Sequence, residues 1–185
     1  MNDSVKVTCL GIVLRNFQDV DPQFNVYTPL DYTLLDVVTI VKLLTGYSDE
    51  YSWKIFFHLG RYAPHNELIL RLKGKKIDEI KLSEFLTTNN ELFIHYGKIK
   101  ININNGVGRG KLKQKQKYPV MYNKRASFPT EEEYRKNIKI EDMDRVYKKN
   151  EVKDLDKKLK DYFKDKSIKS SEYIFDKEIE WKIVK

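Results

Sequence analysis

Phe24-Asn25-Val26-Tyr27-Thr28-Pro29-Leu30-Asp31-Tyr32-Thr33-Leu34-Leu35-Asp36-Val37-Val38-Thr39-Ile40-Val41-Lys42 decides the fold. Phe24, Val26 and their β-prone neighbours predict an extended strand. Pro29 turns Thr28 away from helical angles, and Asp31 is positioned to cap the amides that follow. Leu34, Val37, Val38 and Val41 then recur at helical spacing, which gives one apolar face. A strand therefore runs through a cap into a helix that has a sheet to cover.

Working outward, Val5 to Arg15 is apolar and β-branched and predicts a first strand. Asp19, Asp21 and Pro22 mark a turn, and residues 23–27 return as the second strand. The helix spans about Tyr32 to Leu44 and stops at Gly46, a C-terminal cap. Trp53 to Leu59 reads as a third strand and Leu68 to Leu72 as a fourth, followed by a turn at Lys73-Gly74-Lys75-Lys76. Leu82 to Phe85 reads as a short helical turn, and Leu92 to Ile103 as a fifth strand. A hairpin, one crossing helix and a return to the sheet predict an α+β chain with a ubiquitin-like β-grasp. One helix covers one face of such a sheet, so the opposite face is left for solvent, the tail or a partner.

Charge divides the chain. Residues 1–104 hold 12 Lys/Arg and 12 Asp/Glu, so the whole net charge of +8 lies beyond them. This pattern predicts a ubiquitin-like domain over 1–104, a basic linker over 105–128 and a partly helical extension over 129–185. Cutting at 104 should then leave the domain folded. Thr130 with Glu133 matches a capping box, which places a helix over about 131–149. Leu155, Leu159, Tyr162 and Phe163 form a helical stripe between Asp154 and Asp165. Ile179, Trp181 and Ile183 alternate with charged residues like a strand.

The residues give enzyme chemistry little support. His58, His65 and His95 fit no HExxH pattern, and the serines lack a nucleophile elbow. Gly106, Gly108 and Gly110 lack the spacing and the trailing Lys-Ser/Thr of a phosphate loop. No metal or cofactor is expected. Cys9, the single cysteine, excludes an internal disulfide and fits a buried, inert thiol. No apolar run reaches the roughly twenty residues of a membrane helix, and Met1-Asn2-Asp3-Ser4 does not start like a secretory signal.

Two candidate surfaces remain. The first is the basic segment, with Arg109, Lys111, Lys113, Lys115, Lys117, Lys124 and Arg125 to displace counterions from phosphates and Tyr118 and Tyr122 to stack on bases. Its bland alternative is a solvated linker or an import signal. The second follows from strand parity. Trp53, Ile55, Phe57 and Leu59 share one side of the third strand, which leaves Phe56 and His58 on the other. Leu92, Ile94 and Tyr96 likewise leave Phe93 and His95. Phe56, His58, Phe93 and His95 should form one aromatic patch opposite the helix, a partner surface. Alternatively the tail covers it, with Trp181 as the plug.

Tyr-Thr-x-Leu-Asp-x-Thr-Leu-x-Asp-Val-x-x-Ile-Val-Lys, from Tyr27 to Lys42, resembles the SAP-eighteen family, the Sin-associated polypeptides of eighteen kilodaltons. Thr8-Cys9 with Leu14-Arg15, Trp53 to Phe57, and Asn90 to Ile94 resemble its flanking strands, and the likeness covers roughly residues 7–97. The resemblance implies a non-enzymatic adaptor in the nucleus, or also the cytoplasm. It implies an Acinus-like or Pinin-like partner and an RNA-binding protein with a serine-rich domain, in an exon-junction-associated splicing complex. A Sin-type histone deacetylase corepressor is a further implied partner. Nucleic-acid binding through the basic tail is the alternative function. A ubiquitin-like modifier is disfavoured, because Lys182-Ile183-Val184-Lys185 offers no Gly-Gly.

Overall fold

The computed structural model describes residues 7–14, 22–59, 65–86, 90–105, 119–125, 128–136, 149–164, 175 and 179–184. Seven strands form one sheet: β1 (Val7–Leu14), β2 (Gln23–Pro29), β3 (Trp53–Leu59), β4 (Asn90–Tyr96), β5 (Ile99–Asn105), β6 (Val120–Arg125) and β7 (Glu180–Val184). Their order is β6-β2-β1-β5-β4-β3-β7. Every pairing is antiparallel except β3 with β7. The helices are α1 (Leu34–Thr45), α2 (His65–Leu72), α3 (Leu82–Phe85), α4 (Glu131–Arg135) and α5 (Lys149–Lys164). The protein is thus a mixed α+β molecule.

The strand-to-helix stretch behaves as its residues predict, with the cap two residues later than expected. Thr33, not Asp31, is the N-cap of α1: its hydroxyl accepts from the Asp36 amide, and the Asp36 carboxylate accepts from the Thr33 amide at 2.7 Å. This reciprocal pair satisfies two amides that the first helical turn leaves free. Gly46 closes the helix in the left-handed region at φ 74°, its amide donating to the Lys42 carbonyl at 2.9 Å. The αL position suits glycine because it has no Cβ.

The core lies between the sheet and α1. Leu10, Ile12 and Leu14 of β1, Phe24 and Val26 of β2, and Ile101 and Ile103 of β5 share the face under Val37, Val38 and Val41. Burial extends past the predicted stripe, since Thr39 and Ile40 are buried too. A second helix, α5, packs against α1 and β6. Its Phe163 ring meets Tyr32 at 5.3 Å, and its Leu159 is fully buried.

Four expected elements differ. Leu68 to Leu72 is not a strand but the end of α2, with Leu72 buried and Leu70 71% exposed. A short segment with four apolar residues of five fits either state, and here helical spacing decides which leucine is buried. Leu92 to Ile103 is not one strand but the hairpin β4–β5. Gly97, at φ 57°, supplies its two-residue turn with Lys98, in the backbone region that two-residue hairpin turns require. Residues 120–125, expected as linker, form edge strand β6 on β2. The helix expected over 131–149 is formed at Glu131–Arg135, and residues 137–148 lie outside the described residues.

The region beyond residue 104 therefore supplies both edges of the sheet. Phe128 stacks on Phe24 at 4.7 Å between ring centroids. Phe128, Leu159, Phe163, Phe175 and Ile179 all join the same apolar cluster as α1 and the sheet.

Candidate functional site: the sheet face opposite helix α1

Alternation along β3 and β4 builds the site. Successive side chains of a strand point to opposite faces. Trp53, Ile55 and Phe57 enter the core, as do Leu92, Ile94 and Tyr96. Lys54, Phe56 and His58, with Phe93 and His95, take the other face. The register sets Phe56 opposite Phe93, Lys54 opposite His95 and His58 opposite Glu91. The rings contact one another diagonally: Phe56 to His95 at 4.3 Å, and His58 to Phe93 at 4.8 Å and nearly edge-on. All four are half-buried. The predicted quartet is thus assembled on one face.

Neighbouring strands complete the surroundings. On β5, Asn102 lies opposite Phe93 and Lys100 opposite His95. On β7, Glu180, Lys182 and Val184 lie opposite Lys54, Phe56 and His58. Lys54 reaches Glu180 at 3.6 Å, with both side chains well exposed. Burial first, then the charge of Lys100 and the neighbouring His58, hold the pKa of His95 below the ordinary imidazole value.

Farther along the same face the residues become polar amides that sequence reasoning did not single out. Gln23 donates to Asn25 at 2.9 Å, and Asn104 donates to Asn102 at 3.1 Å. Gly11 leaves the space for this strip: a Cβ there would lie 2.2 Å from the Asn104 side-chain oxygen. Asn102 is 1% exposed, and its amide nitrogen lacks a hydrogen-bond partner among the described residues. Cys9 shares this face by parity and is buried, which pushes its thiol pKa up. The alternation along β2 and β5 contains the signal for the strip; the identity of its neighbours required the strand order.

Trp181 does not plug the patch. It lies opposite Ile55 on the core side, its ring meets Phe57 edge-on at 5.7 Å, and its indole donates to the Lys75 carbonyl at 3.2 Å. Parallel pairing with β3 places Lys182, rather than Trp181, beside the aromatic quartet.

The basic candidates do not assemble into a described site. Arg109, Lys111, Lys113, Lys115, Lys117 and Tyr118 lie outside the described residues. Tyr122 and Arg125 belong to the backbone of β6. Lys124 is removed from the phosphate-binding set: it is 7% exposed, bridges to Glu151 at 2.7 Å and lies over the Phe24 ring. Addition of β6 to β2 sets Lys124 opposite Phe24, beneath α5, where the paired carboxylate offsets the cost of burying its charge. His65 opens α2. Among the described residues no group of three or more His, Cys, Asp or Glu is placed to hold a metal ion.

No family model and no curated protein matches the chain. A solved structure is similar, that of a protein of unknown function, MM3350, from Methanosarcina mazei Go1, with a TM-score of 0.54 and 14% identity over 80% of this chain and 86% of that one. At this identity the likeness concerns the fold alone. Its extent is more than residues 1–104 supply, so the shared architecture includes part of the region beyond them.

Proposed function

We propose that this chain is a non-enzymatic adaptor that takes a segment of a partner protein on the sheet face opposite α1. The observation that carries this reading is the in-register aromatic ladder of Phe56, His58, Phe93 and His95, half-buried on the sheet face opposite α1. Aromatic groups gathered on one surface and rimmed by charge favour association. The Tyr27 to Lys42 resemblance to SAP-eighteen supports a β-grasp-like core of hairpin, helix and returning strands. In this core β1 runs antiparallel to β5, whereas a ubiquitin core pairs its first and last strands in parallel. The same resemblance supports a place in a nuclear assembly, of the splicing-associated or deacetylase-corepressor kind. The test is recovery of partners from the native cell with the full chain and with Phe56→Ala combined with Phe93→Ala. Loss of a defined set of proteins with the double variant is expected, and an unchanged set would overturn the reading.

A second reading is favoured by the charge distribution, because the entire +8 lies beyond residue 104. In it, Arg109, Lys111, Lys113, Lys115 and Lys117 bind single-stranded nucleic acid. Five phosphate contacts correspond to a log–log salt slope of about −3 to −5. A flat salt response rejects it.

A further inference from the structure

The quartet is bordered at one end by a row of basic residues. Lys54, His95 and Lys100 occupy consecutive cross-strand positions on β3, β4 and β5. Directly opposed residues have Cβ atoms about 5 Å apart, and like charges so placed repel. The row has little internal compensation. Glu180 meets only Lys54, at 3.6 Å and in an exposed pair that solvent screens. Lys100 and Lys182 are exposed, and neither has an ion-pair partner among the described residues. Among the described residues of the face, Glu91 is a further acid, opposite His58 at the other end of the quartet. Cations thus gather toward the β4–β5 turn, with Glu180 at their outer edge and Lys182 beside the rings, and Glu91 lies at the far end.

We propose that the row Lys54, His95 and Lys100 is an anion-reading rim, and that the occupant of this face is an acidic peptide segment. An aromatic or aliphatic side chain of the segment rests on Phe56 and Phe93, and an adjacent Asp or Glu carboxylate faces Lys100 and His95. This inference rests on the adaptor reading and names the chemistry of the partner. Local repulsion that an anion relieves adds to affinity and fixes the direction in which the segment lies. The charged and titratable groups facing His95 are Lys100 on β5 with Lys54 and His58 on β3; its pKa is lowered first by burial and then by the charges of Lys100 and His58. A bound carboxylate raises that pKa, so binding takes up a proton and tightens as pH falls toward and below the ordinary imidazole value of about 6.5.

The experiment uses the full chain and short synthetic peptides that share one Leu/Phe centre and differ only in Glu, Gln or Lys flanks. Binding is followed by anisotropy and by the His95 imidazole resonances. The Glu-flanked peptide should bind best and raise the His95 pKa. Lys100→Gln, on an exposed side chain, should weaken it about fivefold while leaving the Gln-flanked peptide unchanged. Equal binding of all three peptides, lost in Phe56→Ala with Phe93→Ala, would overturn the anion rim and leave the adaptor reading standing. No binding of any peptide, with the native partner set also indifferent to the double variant, would overturn both. Saturable binding of oligouridylate at His95 without binding of the Glu-flanked peptide would overturn the proposal in favour of a nucleic-acid platform.

Discussion

At the scale of single residues, two adjacent phenylalanines on β3 separate core from surface. Phe57 is fully buried against Phe85 and Trp181, whereas Phe56 is half-buried on the opposite face. Phe57→Ala should cost about 3–5 kcal/mol, and Phe56→Ala about 1 kcal/mol or less, in urea unfolding. Equal costs would place both side chains in the core and dissolve the site. His95 makes a pH-dependent contribution with a definite sign. Its pKa in the folded chain is below the unfolded value, so the unfolded state binds the proton more readily. Stability therefore falls as pH drops below about 6.5 and through the folded-state pKa. The loss in melting temperature between neutral and mildly acid pH should be smaller in His95→Gln than in the parent.

At the scale of elements, the turn into α1 and the hairpin β4–β5 show different degrees of legibility. The helix is plain in the sequence because Leu34, Val37, Val38 and Val41 repeat with its period and Gly46 ends it. The exact cap is not, since Asp31 and Thr33 are both competent capping residues and only the contact with Asp36 distinguishes them. Thr33→Ala should cost about 0.5–2 kcal/mol, measured by chemical unfolding, and Asp31→Ala much less. A larger loss at Asp31 would move the cap back. In β4–β5 the two-residue turn is flanked by the strand formers Tyr96 and Ile99, so local propensity alone runs through the turn. The parity of Phe93 and His95 survived that misreading because it depends only on their own strand.

At the scale of the molecule, the chain carries one core with contributions from both sides of residue 104. In the N-terminal part, Phe24 stacks on Phe128 and Tyr32 meets Phe163 at a tilt. Tyr47 donates to the Pro129 carbonyl at 2.8 Å, and the Tyr96 hydroxyl donates to Glu131. A chain ending at residue 104 would uncover these rings and both sheet edges, and exposed strand edges invite association. It should therefore lose near-ultraviolet circular dichroism and bind a hydrophobic dye. A cooperative melt with intact near-ultraviolet signal would instead establish 1–104 as an autonomous unit. The extension is thus predicted to act as a structural part of the sheet as well as the carrier of the charge.

The sequence by itself determined the helix α1, the alternation of β3 and β4 and therefore the four rings of the candidate site. These follow from local periodicity, which each segment carries in its own residues. The order of the strands, the burial of Lys124, the core-side position of Trp181 and the row of Lys54, His95 and Lys100 were decided only by tertiary structure. Each depends on which distant strand lies alongside, and register between strands is set by whole-core packing rather than by either strand alone.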